Sequence, residues 1–198
     1  MRWRPLTRFV AVVLIAGLVV SASPPLGAAT TDTFRDEFNN ISYSGDDGIG
    51  GSWAADWLES ESPQNASAGN LKVSVDGTES FAVQFTTGGT GDFLERTADL
   101  SAYDTASLSF DYRRDNANAS FSFKVWASAN GPSGPFTEIF AITPGDDALY
   151  VASGSLDISG HRSATTTIRF SNEAGAATGF YLDNIEISAI TANLPPVA

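Results

Sequence analysis

From about residue 70 to residue 190 the chain alternates apolar and polar positions with period two and shows almost no period of 3.6. Leu71, Val73 and Val75 share one parity, and Phe81, Val83 and Phe85 repeat it after the turn signal Asp76-Gly77. Leu108, Phe110 and Tyr112 alternate with Ser107, Ser109 and Asp111, and Phe121, Phe123 and Val125 alternate with Ser122, Lys124 and Trp126. Successive side chains of a strand point to opposite faces, so each run predicts a strand with one buried face. Asn130-Gly131-Pro132 and Ser133-Gly134-Pro135 predict a hairpin loop before a strand over 136–142, and Ile168 and Phe170 open the penultimate strand. The pattern predicts an all-β, antiparallel two-sheet β-sandwich of jelly-roll type with about nine to eleven short strands.

The parity breaks once, in the last strand. Phe180 and Leu182 share one parity while Ile185 and Ile187 share the other. A β-bulge at Asp183-Asn184 adds one residue and returns both pairs to the core. First and last strands of such sandwiches often pair, which would bring Phe34-Arg35-Asp36-Glu37-Phe38 beside this segment. A re-aimed Asp183 then meets Asp36 or Glu37, and an all-oxygen donor set of that kind suits calcium. An ordinary solvated carboxylate at a strand bend satisfies the same pattern. A weaker echo links Asp99-Leu100-Ser101-Ala102-Tyr103 to Asp157-Ile158-Ser159-Gly160-His161, predicting two equivalent corners that each lead into a strand. His161, the only histidine, reads there as a surface or packing residue.

The first 29 residues have the order of an export signal: Arg2, Arg4 and Arg8, an apolar run over 9–20, then Gly27-Ala28-Ala29, which predicts cleavage after Ala29. That run is shorter than the roughly 20 residues a membrane span takes, and Pro24 and Pro25 break a helix that continues. The expected division is therefore a signal peptide at 1–29, one sandwich domain at 30–190, and a Pro-containing linker at 191–198 leading toward a following domain. Cleavage removes three arginines and no acid, taking the formal charge from −12 to −15. Nucleic acid is excluded as a partner, since phosphate binding needs concentrated Lys and Arg. An exported chain with no cysteine has no disulfide staple, which points to a bacterial or archaeal cell surface or medium. Asn40, Asn65 and Asn118 each open an Asn-x-Ser triplet, a three-residue match to a glycosylation acceptor.

Taken in order, several segments resemble a family. These are Asp36-Glu37-Phe38, Asp46-Asp47-Gly48, Trp53 and Trp57 with Glu59, Arg96-x-x-Asp99-Leu100-Ser101, Leu108-Ser109-Phe110-Asp111-Tyr112-Arg113 and Tyr181-Leu182-Asp183-Asn184-Ile185. Together they resemble the MAM-like jelly-roll modules of large secreted bacterial proteins, over residues 33–190. The resemblance implies a galactose-binding-like or carbohydrate-module-like accessory domain. It also implies a structural calcium joining first-strand and last-strand carboxylates, here Asp36 or Glu37 with Asp183. The chain departs from vertebrate MAM domains in having no cysteines, and from many bacterial relatives in carrying Phe136 where a Trp is common.

Catalysis has little to work with. Without cysteine there is no thiol nucleophile, and a serine triad would depend on His161 with no Gly-x-Ser-x-Gly elbow. A glycosidase needs two carboxyls flanking the scissile bond. Glu59, Glu61, Glu79 and Asp111 are available, but no compact motif singles any of them out. Trp126 has the parity opposite to Phe123 and Val125, which turns it outward as a stacking platform unless a bulge returns it to the core. Trp53 and Trp57 read as caps on the core. The leading expectation is a secreted, non-catalytic binding or adhesion module, monomeric and calcium-stabilised, recognising polysaccharide or a cell-surface partner. The alternatives are a purely structural spacer in an adhesin-like stalk and a glycoside hydrolase-like enzyme.

Overall fold

A computed structural model of the chain describes residues 29–75, 81–86, 90–177 and 179–192. The export signal (save Ala29), the Asp76-Gly77 turn, Glu79 and residues 193–198 of the linker lie outside them. The described residues hold twelve strands: β1 Thr30–Asp36, β2 Leu58–Glu59, β3 Leu71–Ser74, β4 Ala82–Phe85, β5 Phe93–Ala98, β6 Thr105–Asp115, β7 Ser122–Ser128, β8 Thr137–Ile142, β9 Val151–Ala152, β10 Leu156–Asp157, β11 Thr166–Ala174 and β12 Gly179–Thr191. That is one more than the upper end of the expected range. The excess comes from β2, β9 and β10, whose two residues each are too short to carry a period.

Two antiparallel sheets form. In one, β10, β6, β12, β4 and β3 lie in that order, β1 pairs with β12 and β9 with β6; in the other the order is β2, β5, β11, β7, β8. The alternating runs supply the layer between them: Leu71, Val73, Val83 and Phe85 from β3 and β4, Leu108 and Phe110 from β6, Phe123 and Val125 from β7, Ile168 and Phe170 from β11. Phe180 lies 4.1 Å, centroid to centroid, from Phe123 on the opposite sheet. Val75 departs from its run. β3 ends at Ser74, and Val75, beyond the ladder, is 62% exposed.

The parity switch in the last strand is a bulge, as the sequence predicts. Opposite β6 the pairing steps from Asp183↔Asp111 to Glu186↔Ser109, three residues on β12 against two on β6. Asn184 takes a left-handed φ of 50°, and Phe180, Leu182, Ile185 and Ile187 are all buried. β1 pairs with β12 along its whole length, from Thr30↔Thr191 to Asp36↔Ile185. The two predicted corners are also alike. Ser101 N–H donates to Asp99 Oδ1 (3.0 Å) and Ser159 N–H to Asp157 Oδ1 (2.9 Å), while Leu100 and Ile158 between them are fully buried. Two of the Asn-x-Ser triplets are turns of the same design: Asn65 Oδ1 accepts from the amide and hydroxyl of Ser67, and Asn118 Oδ1 from those of Ser120.

Candidate functional site

Asp36 ends β1 with its carboxylate in the interior, where it is fully buried. Phe38 N–H donates to Oδ1 (2.9 Å), and Trp57 Nε1 (2.9 Å) and Arg96 Nη1 (3.0 Å) donate to Oδ2. Arg96 also donates from Nη1 to Gly45 O and from Nε to Ala55 O, each at 2.7 Å, and lies over the Trp53 ring at 4.8 Å and the Trp57 ring at 5.5 Å. Gly45 has to be glycine here, since a Cβ would collide with the Asp36 carboxylate. Burial pushes the Asp36 carboxyl up and the Arg96 guanidinium down, and the pair holds because each offsets the other. Trp53 and Trp57 cap the core as expected, at 8% and 1% exposure.

Glu37, next along the chain, is on the surface and pairs with Arg35 (2.9 Å). Asp183 is buried at the bulge, opposite Asp111, and accepts from Asn184 N–H (2.7 Å). The register sets Asp36 against Ile185 and Arg35 against Glu186, so what crosses between first and last strands here is Arg35, which donates from Nη2 to Asn184 Oδ1 (3.4 Å) and approaches Glu186 at 3.8 Å. Among the described residues no group of three or more His, Cys, Asp or Glu is placed to hold a metal ion. Of the carboxylates weighed for glycosidase chemistry, Glu59, Glu61 and Asp111 have structural partners, Asp111 accepting from Asn184 Nδ2 (3.0 Å). Glu59 accepts from Tyr43 Oη (2.6 Å) and Asn65 N–H (2.6 Å), and Glu61 from the amides of Asn70 and Leu71.

The outer face of the five-stranded sheet is different. Register carries Glu95 of β5, Arg169 of β11, Trp126 of β7 and Glu138 of β8 in one row across four strands. Trp126 is half-buried on this outer face, the side its parity indicates, and its Nε1 donates to Ser171 Oγ (2.8 Å), whose hydroxyl in turn reaches Glu173 Oε1. That chain fixes the plane of the indole. Arg169 donates from Nε to Glu95 Oε2 (2.7 Å), with Nη2 at 2.6 Å from the same oxygen. Its guanidinium lies 4.4 Å from the Phe93 ring centre and 4.0 Å from that of Phe136. Lys124, paired with Glu138 at 2.6 Å, lies 5.2 Å from the Trp126 ring. Phe93, Trp126, Phe136, Arg169, Ser171 and Glu173 line a cleft of about 230 Å³. Sequence reasoning reached Trp126 but not Phe93 or Arg169. Their outward parity was readable, whereas the strand order that makes them neighbours was not.

No protein-family model matches the chain, and no curated protein matches it. Solved structures do. The fold is similar to the CBM22-1 xylan-binding domain of Paenibacillus barcinonensis Xyn10C, with TM-score 0.52 and 12% identity over 80% of this chain and 94% of that one. It is similar to the K3 cleaved adhesin domain of Lys-gingipain from Porphyromonas gingivalis, with TM-score 0.56 and 14% identity over 81% and 99%. It is also similar to TmCBM61, solved with β-1,4-galactotriose, with TM-score 0.51 and 12% identity over 77% and 97%. The likeness establishes the fold: a jelly-roll β-sandwich of the kind built into carbohydrate-binding modules and adhesin domains.

Proposed function

We propose that this domain is a non-catalytic recognition module that binds polysaccharide on the outer face of its five-stranded sheet, with the Trp126 ring as stacking platform. The observation that carries this reading is the orientation of Trp126. A core indole would be enclosed, whereas this one is half-exposed, held by Ser171 and flanked by Phe136 and Arg169 around an open cleft. Aromatic faces with a few fixed polar groups are what sugar and other ligand clefts present. The fold shared with xylan-binding and galactotriose-bound modules supports the reading, and so does the order of an export signal in the first 29 residues. The MAM-like order of motifs fits an accessory role in a larger secreted protein. The glycosidase alternative is weaker, because Glu173, the carboxylate that lines the cleft, is committed to Ser171, and Glu95 beside it is buried against Arg169. A second reading, the adhesin-like spacer, draws on the gingipain likeness and needs no ligand at all.

Trp126→Ala decides between them. Losing a hot-spot platform weakens binding by about 1 to 3 kcal/mol with the fold intact, whereas truncating a core Trp costs about 3 to 5 kcal/mol of stability. Retention on insoluble xylan, galactan and other polysaccharides is measured beside the melting temperature. Lost retention with little change in the melt is the expected result. A wild-type protein retained by no polysaccharide and no glycan on an array would leave the spacer reading as the better one.

A further inference from the structure

The outer face of the seven-stranded sheet carries a second cleft, of about 440 Å³, whose one aromatic lining residue, Phe110, is buried in the core. Its centre is made by the bulge. In the left-handed conformation Asn184 lays its amide across the sheet, donating from Nδ2 to Asp111 Oδ2 (3.0 Å) on β6 and accepting at Oδ1 from Arg35 Nη2 (3.4 Å) on β1. Ser109, Ser155 and Glu186 supply the other polar side chains of the lining. Arg35 Nε is buried and has no hydrogen-bond acceptor among the described residues; Glu186 Oε2 stands 3.8 Å away.

The lining offers carboxylate acceptors (Asp111, Glu186), cationic and amide donors (Arg35, Asn184) and two serine hydroxyls within one hollow. A sugar diol suits such a set, because each hydroxyl both donates and accepts. With one cationic and two anionic side chains, the cleft disfavours an anionic ligand. We propose that this cleft is a second saccharide site, which holds a neutral sugar by hydrogen bonds to its hydroxyls rather than by stacking. The proposal rests on the reading of the domain as a glycan-recognition module. It makes the module bivalent, with sites on opposite faces of the sandwich, so that one copy bridges two chains of a polymer and gains retention through effective concentration.

Amide shifts of the ¹⁵N-labelled protein test this under titration with xylohexaose, β-1,4-galactotriose, cellohexaose and mannohexaose. Amides around Arg35, Asp111 and Asn184 should move in the wild type and equally in Trp126→Ala, and Asp111→Ala should weaken that response roughly tenfold. Because Asp111→Ala also strips Asn184 of a partner, Ser109→Leu is the second variant. It fills the cleft while leaving the Asn184 contacts in place, and it should abolish the response with an otherwise native spectrum. If only amides around Trp126 move, the second site is overturned and the Trp126 site stands. Movement only around Asn184 keeps the polar cleft and removes the Trp126 reading. No movement with any of the four sugars overturns both.

Discussion

The protein builds the same cluster twice: an arginine stacked on aromatic rings and paired with a carboxylate. Inside, Arg96 lies over Trp53 and Trp57 and pairs with Asp36; outside, Arg169 lies between Phe93 and Phe136 and pairs with Glu95. The difference is in completion. Arg96 is 3% exposed, and its Nε and Nη1 donors end on Ala55 O, Asp36 and Gly45 O, so the chain itself encloses and holds the group. Arg169 is 24% exposed, and its ring neighbours open into a cleft. The same three classes of side chain thus lock a core in one place and present a surface in the other. Enclosure decides which, because a paired charge removed from water tolerates no loss of its partner, while a solvated one does.

The largest expected effect comes from opening the closed cluster. Asp36→Ala strands a buried guanidinium, a change that typically costs about 3 to 5 kcal/mol, or a fall of roughly 6 to 20 °C in melting temperature for a domain of this size. Thermal unfolding followed by circular dichroism measures it. A drop of only a degree or two would mean that water reaches Arg96 readily and that the two clusters are not different in kind.

Arg169→Lys is the matched change outside, and it should do less to the fold and more to binding. Lysine keeps the charge but loses the planar fork toward Glu95 and the stack between Phe93 and Phe136. Those contacts are worth about 1 to 2 kcal/mol together at a partly exposed site, so the melt should fall by roughly 2 to 8 °C. Polysaccharide retention should weaken alongside it. If the melt collapses as far as with Asp36→Ala, the outer cluster is a structural clamp and the cleft beside it is incidental.

How far all this was readable in sequence follows from the range of each signal. Period-two runs placed Leu71, Val73, Val83, Phe85, Phe110 and Phe123 in the core, and one parity switch located the bulge at Asp183-Asn184, because both are patterns within a single strand. The bookend strands do pair. What that pairing brings together depends on register, which set Asp36 opposite Ile185. Nothing in the chain marks Arg96, sixty residues on, as the partner of Asp36, since the contact exists only once the β1 end and β5 share the interior. Phe93, Arg169 and Phe136 meet for a similar reason: they come from β5, from β11 and from the residue before β8. Strand order is a property of the whole fold, and local pattern does not contain it.

Calcium has the smallest expected effect, and it probes the closed cluster from the other side. A calcium bridging Asp36 to Asp183 would have to draw Asp36 away from Phe38 N–H, Trp57 Nε1 and Arg96, leaving the guanidinium unpaired in the core, while Glu37 is paired with Arg35 and lies past the last residue of β1 that pairs with β12. Extracellular calcium sites bind at about 10⁻⁴ to 10⁻³ M, which at ~10 mM metal would supply roughly 1.4 to 2.7 kcal/mol. That is less than the cost of stranding a buried charge, about 3 to 5 kcal/mol. Melting curves in ~10 mM calcium and in chelator should therefore superimpose. A rise of about 3 °C or more in calcium, abolished by Asp183→Ala, would show that the bookend carboxylates do take a cation, and that the cluster around Arg96 is looser than its burial and hydrogen bonds indicate.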